Sequence, residues 1–211
     1  MGFLGAGAVV LLAGSAVTGV LSKVAHGLSG TFAGAGVASG FRIYAVTELP
    51  TFDPVDWRLN VDGLVEKPLV LTYGEMRQLP NATQFSTFRC VTGWRVNNVQ
   101  WGGLRIGAIL DMVKPKPNAK FITFYSMDGV YIDSLSIPEA TSPDVLLAYD
   151  MGGQPLSQPH GSPLRVIVPS MFGYKGTKWV HRMELKETQD IGYWEQRGYP
   201  ADGTIANYRG P

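Results

Sequence analysis

The chain has 211 residues, 45% of them apolar, with 18 basic and 17 acidic side chains and a formal charge of +1. That length suits one substantial domain with an appendage, and the even charge offers no concentrated basic surface for nucleic acid. The lone cysteine, Cys90, excludes an intrachain disulfide or a multi-cysteine zinc site and leaves one thiolate for a dedicated task.

From Gly2 to Ser22 no charged side chain occurs. Roughly twenty apolar residues can cross a bilayer as a helix, and membrane helices tolerate glycines such as Gly5, Gly7, Gly14 and Gly19. Residues 1–26 are therefore predicted to form one apolar helix, a transmembrane or signal-anchor segment. A cleaved signal peptide lacks its basic start here, and a buried core helix is the remaining reading. Residues 27–40, mostly Gly, Ala, Ser and Thr, read as a flexible linker, which places the folded domain at 41–211.

Within that domain, residues 57–63 alternate apolar and polar and stop at Asp62-Gly63, as a half-buried strand does. Residues 69–73 repeat the habit, and 73–79 read as a short helix ended by Pro80. A strand is expected over 84–90 and a helix over 104–113. Residues 120–125 and 131–135 flank Asp128-Gly129, a hairpin signal. The apolar run 164–168 fits a buried strand, and 178–185 alternates. Many short strands with few helices predict a mixed, strand-rich α+β domain. No Walker sequence, zinc-protease motif or nucleophile elbow accompanies them.

Four segments carry a resemblance. Phe88-Arg89-Cys90-Val91-Thr92-Gly93-Trp94 resembles the cysteine loop of the sulfite oxidase superfamily, and residues 144–156 are similar to the stretch leading to its pterin-binding loop. His160-Gly161-Ser162-Pro163-Leu164-Arg165 resembles the pterin-phosphate segment, and Gly173-Tyr174-Lys175-Gly176-Thr177-Lys178-Trp179 the lysine loop that follows. Their order and spacing agree over residues 41–199. The resemblance implies a sulfite-oxidase-type molybdopterin-binding oxidoreductase domain with a molybdenum–molybdopterin cofactor, its metal held by Cys90. It further implies Tyr44, Ser126, His160, Arg165, Gly176, Thr177 and Lys178 as cofactor contacts, with Arg95 and Tyr199 in catalysis.

The residue chemistry agrees. Soft thiolates bind transition metals well, and cations such as Arg89 and Arg95 favour the thiolate. Arg165 offers a planar fork for phosphate, Lys178 a point charge, and Gly176 a close backbone approach. Without the resemblance, Cys90 reads as a buried structural thiol, His160 as a core histidine, and Arg165 and Lys178 as surface charges.

Departures from the family pattern bear on the reaction. Sulfite-oxidising members place an arginine where Tyr44 stands, while Arg95 matches a second anion-binding arginine and Tyr199 an active-site tyrosine. The type most resembled is the bacterial membrane-partnered methionine sulfoxide reductase catalytic subunit. This implies oxygen-atom transfer that reduces an S- or N-oxide, free or protein-bound. Sulfite dehydrogenase is the alternative, and a cofactor-free scaffold of the same fold the alternative from another class. A membrane b-type cytochrome or quinone-linked electron partner is implied. So is a monomeric catalytic domain on the extracytoplasmic side, anchored by the N-terminal segment.

Overall fold

The alternation at residues 57–63 becomes β1 (Arg58–Gly63), which sends Leu59 and Val61 into the core. Gly63 ends it at φ +83°, where a Cβ would lie 2.3 Å from the Leu185 carbonyl oxygen, so no larger residue fits. β2 (Leu69–Thr72) folds back antiparallel on β1. It runs directly into α1 (Tyr73–Gln78), started by a capping box between Thr72 and Glu75. The computed structural model describes residues 40–207, so the predicted helix over 1–26 and all of the linker except Gly40 lie outside the described residues. Among the described residues no helix is long and apolar enough to cross a membrane.

Two five-stranded sheets carry the architecture. β5 (Phe121–Ser126) and β6 (Ile132–Ser136) form the expected hairpin, tightened by Asp128 Oδ1, which accepts from the Val130 and Tyr131 amides. β10 (Val180–Lys186) lies between this hairpin and the β1–β2 hairpin, parallel to β1 and antiparallel to β5, giving the order β2-β1-β10-β5-β6. The second sheet contains β3 (Ala82–Arg89), β4 (Arg95–Arg105), β7 (Leu146–Met151) and β8 (Gln154–Pro155), with β9 (Arg165–Ile167) also paired to β7. α2 (Ile106–Val113) buries Ile106, Ile109, Leu110 and Val113, and α3 (Ile137–Ala140) is capped by Ser136.

The core has two parts, and the two-residue period of strands explains why. On β7 and β9, Leu147 and Val166 join the large cluster with Leu59, Ile122, Phe124 and Met183. Their neighbours Leu146, Ala148 and Ile167 point the other way, to a smaller cluster with Phe41 and Trp101. Full burial of each such side chain contributes about 1.5–3 kcal/mol before the cost of ordering.

Two expectations are corrected at β4. The helix predicted from residue 104 begins at Ile106, and residues 95–105 form a strand the sequence pattern hid. Asn97, Asn98 and Gln100 break its apolar rhythm: Asn97 and Asn98 are both exposed, and Asn98 sits at φ +54° where the pairing with β3 shifts register. Likewise, Cys90 was expected to close a strand but lies in the turn after it.

Candidate active site

β3 and β4 turn over through Cys90-Val91-Thr92-Gly93-Trp94. The Cys90 amide donates to the Trp94 carbonyl at 2.9 Å, the Gly93 amide donates to the Cys90 carbonyl at 3.1 Å, and Gly93 sits at φ +93°. This leaves Cys90 half-buried, its Sγ 3.2 Å from Thr92 Oγ1, on the wall of a cavity of about 330 Å³.

A second wall comes from the segment between β9 and β10. The Val166 amide donates to the Thr177 carbonyl at 2.8 Å, and a Cβ on Gly176 would lie 2.7 Å from the Val166 carbonyl oxygen. Glycine is thus what lets this turn lie flat on β9. Arg165 is 4% exposed, donates from Nη1 to the His160 carbonyl at 2.9 Å, and has the Phe88 and Trp101 rings each 5.4 Å from its Cζ. Burial pushes its pKa down to about 10, which leaves it charged near neutrality. Lys178 donates to the Tyr44 carbonyl at 2.7 Å and the Pro159 carbonyl at 3.3 Å, fastening the incoming chain to the cavity. Burial and the Arg165 charge push Lys178 well below the ordinary lysine range. An anion between Arg165 and Lys178 would reverse that. Trp179 follows at φ +54°, a left-handed conformation of the kind that costs a bulky residue about 1–3 kcal/mol and gathers at functional sites.

His160 is 1% exposed and meets the Phe41 ring edge-on at 4.8 Å. Burial, then Arg165 and Lys178, lower its pKa from 6.5 to about 4. The unfolded chain therefore binds the extra proton between these values, so His160 contributes stability that is present above pH 6.5 and is lost as pH falls toward 4. The stability difference between wild type and His160→Gln is expected to shrink over that window, read by urea melts at several pH values. A pH-independent difference would refute a neutral buried imidazole.

The third wall is aromatic. Tyr44 stacks on Trp94 with ring centroids 6.4 Å apart, and Tyr131, Tyr174, Trp194 and Tyr199 face them.

Of the residues named from sequence, the fold brings Tyr44, Cys90, His160, Arg165, Gly176, Lys178 and Tyr199 to this one cavity. Arg95 is not among its lining residues: it stands exposed at the start of β4, opposite Arg89 across the ladder. Ser126 and Thr177 are buried behind the wall, at 2% and 0% exposure. Sequence reasoning assigned no role to Arg42 or to the rings of Trp94 and Trp179, although the latter two lie inside the quoted motifs.

Arg165 Nε and Thr177 Oγ1 have no hydrogen-bond partner within the described residues. Unpartnered buried polar atoms beside buried Arg165 and half-buried Lys178 are what an anionic tail such as phosphate requires. Among the described residues no group of three or more His, Cys, Asp or Glu could hold a metal. A metal at Cys90 must bring its other ligands with it, as a metal already chelated by the sulfurs of an organic cofactor does.

Comparison with known proteins identifies a family. The family model described as oxidoreductase molybdopterin binding domain matches residues 46–194. The oxidoreductase YuiH of Bacillus subtilis is 30% identical over 169 residues, covering 79% of this chain and 84% of that protein. The protein-methionine-sulfoxide reductase catalytic subunit MsrP of Campylobacter jejuni is 29% identical over 179 residues, covering 77% of this chain. MsrP of Gluconobacter oxydans is 29% identical over 178 residues, covering 76% of this chain. This chain spans only 60% and 57% of the length of those two subunits. The crystal structure of the sulfane dehydrogenase SoxCD from Paracoccus pantotrophus superposes with a TM-score of 0.65 over 72% of this chain and 45% of that one. At 22% identity it speaks for the fold alone.

Proposed function

The chain belongs to the oxidoreductase molybdopterin binding domain family, within the sulfite oxidase superfamily, and from that premise we propose that it reduces an S- or N-oxide such as methionine sulfoxide by oxygen-atom transfer. It is an oxidoreductase whose family implies a molybdenum–molybdopterin cofactor. In this reading Cys90 holds the metal, Arg165, Lys178 and the Gly176–Lys178 turn hold the phosphate tail, and Tyr44 and His160 line the pterin. When bound, the group supplies a metal that accepts oxygen and cycles by two electrons.

The observation that carries the direction is the neutral, aromatic wall beside Cys90. A site that oxidises sulfite profits from several cations paired with the oxyanion in the transition state. Arg95 is exposed outside the cavity, and a phenol, Tyr44, lines it where sulfite-oxidising members are expected to carry arginine. An uncharged oxide needs only a donor for its oxygen, and the Tyr199 hydroxyl supplies one. Reduction consumes two electrons and two protons and releases water. The electrons come from a partner, a membrane b-type cytochrome or quinone-linked protein on the extracytoplasmic side, with residues 1–26 as tether and 41–211 as the catalytic domain.

Arg42, exposed at the cavity, favours the second reading, an anionic sulfur substrate that is oxidised. One preparation decides between them: reduced viologen with methionine sulfoxide or trimethylamine oxide, and ferricyanide with sulfite. Sulfoxide turnover with slow, weak sulfite oxidation is expected. Efficient sulfite oxidation with no sulfoxide reduction would overturn the proposal.

Arg165→Ala and Lys178→Ala test the cofactor contacts. Each is expected to weaken retention by about 1.5–3 kcal/mol, the range for hydrogen bonds to charged groups, roughly ten- to a hundredfold. Molybdenum and pterin content after extended dialysis is the readout. Wild-type retention in both variants would remove these residues from the site.

A further inference from the structure

Beyond β10 the described chain runs as an irregular strap, residues 187–207, back across β6 and the turn at Gly173–Lys175. Backbone bonds hold it at intervals: the Tyr193 amide donates to the Ile132 carbonyl at 3.0 Å, the Phe172 amide to the Gly203 carbonyl at 2.9 Å, and the Ile205 amide to the Ser170 carbonyl at 2.9 Å. The Tyr174 hydroxyl donates to the Pro200 carbonyl at 2.7 Å. The strap has almost no core of its own. Only Gly192, Glu195 and Gly203 are buried along it, so its one buried side chain beyond glycine is a carboxylate.

Glu195 is received by Lys175. One carboxylate oxygen pairs with the lysine ammonium, and the other accepts from the Gly192 amide at 2.7 Å. Lys175 is 1% exposed, lies 2.6 Å from Asp133 Oδ1 on β6, and donates to the Ser134 carbonyl at 3.1 Å. Gly203 meets the same lysine elsewhere on the strap: a Cβ there would lie 2.4 Å from Lys175 Cγ. The strap is thus fastened twice to one buried side chain, by charge at Glu195 and by close packing at Gly203.

None of Lys175, Asp133 and Glu195 lines the cavity, but each sits beside residues that do. Tyr131 precedes β6, Tyr174 precedes Lys175, and Trp194 precedes Glu195. Tyr199 follows on the strap, its ring 5.4 Å from both Tyr174 and Trp194. We propose that Lys175, acting through Glu195, is a positioning residue that holds Trp194 and Tyr199 in the cavity wall, so that a buried ion cluster out of reach of substrate shapes the substrate side of the site. This rests on the reading of the cavity as the active site. With so little apolar burial to hold it, the strap beyond Asp190, which is itself tied to Lys186 and Thr123, opens as a local unit once the Glu195 anchor is lost.

The test compares wild type with Glu195→Ala, Glu195→Gln and Gly203→Ala, all loaded with cofactor. Glu195→Ala leaves Lys175 paired to Asp133, so β6 and the Gly173–Lys175 turn keep their ion pair. Hydrogen exchange at amides of residues 192–205 is expected to rise at least about tenfold, while amides of β1, β5 and β10 stay protected. With methionine sulfoxide as substrate, KM should rise several-fold more than kcat falls, and molybdenum content should hold. Glu195→Gln keeps an amide oxygen that accepts from Lys175 but sets its NH2 against the Gly192 amide, so it should restore only part of the protection. Gly203→Ala should loosen the same amides by displacing Lys175. Wild-type exchange along the strap in Glu195→Ala overturns the proposal, as does equal loosening of the sheets or global unfolding of Glu195→Ala and Gly203→Ala. Should the wild type reduce no oxide at all, the functional reading fails, and the exchange data still decide the role of Lys175.

Discussion

Cys90→Ser is expected to give a folded protein without turnover. The thiol lies half-buried in a hairpin turn with Thr92 Oγ1 as its polar neighbour at 3.2 Å, a contact that a serine hydroxyl can make as well. Stability should therefore stay within about 0.5 kcal/mol of wild type, as for changes away from the core. Activity follows a different logic. An alcohol stays protonated where a thiolate forms, and it is a poor donor to a metal that favours sulfur. Metal centres supply several kcal/mol of transition-state stabilisation, so loss of the ligand should lower kcat/KM by at least about a thousandfold. The thiolate-to-metal absorption should disappear in parallel. A serine variant with wild-type activity would remove Cys90 from the metal.

Lys175→Met should have the largest effect on stability. Lysine is the one cation of a buried cluster with Asp133 and Glu195, at 1%, 0% and 2% side-chain exposure. Burial works to lower the Lys175 pKa, but the two carboxylates outweigh it and hold the proton above the ordinary lysine range. Burial pushes Asp133 the other way, up to about 7, against the pull of Lys175. Removing one partner from such a cluster costs about 3–5 kcal/mol, because the remaining charges lose their compensation. The sign with pH follows from Asp133. A carboxyl raised from 3.8 to about 7 on folding favours the folded state below 3.8 and loses that contribution as pH climbs through 7. Methionine removes the attraction that keeps this shift small. The variant should therefore lose more stability at pH 8 than at pH 5, as read by denaturant midpoints. Equal losses at both values would show that packing, and not charge, is what the lysine provides.

What could be read in the sequence divides along physical lines. β1 and the β5–β6 hairpin were legible because alternation and Asp128-Gly129 are local signals. β4 was not, since its polar residues cluster at the solvent end and its pairing with β3 and β7 is tertiary. The quoted motifs made one wall of the cavity legible, since Arg165 and Lys178 line it together with Cys90. Arg95 shows the limit of spacing. It stands five residues after Cys90, but the side of the ladder it occupies depends on the turn between them. Glu195 and Lys175 carried no sequence signal for each other, because they stand twenty positions apart with a strand and irregular strap between them. Only the folded chain sets a buried lysine beneath a carboxylate.

The position of β10 orders events in time. Its partners β1 and β5 both come before it in the chain, and Arg182 reaches back 120 residues to Asp62. Until β10 is synthesised, the first sheet is two separate hairpins with an open slot between them. Such long-range closure makes folding slow compared with helical proteins of this size. Lys178 and Trp179 immediately precede that strand, and Trp194 and Tyr199 come after it. The ribosome therefore makes nearly the whole domain before the lysine and aromatic walls can close against the Cys90 turn.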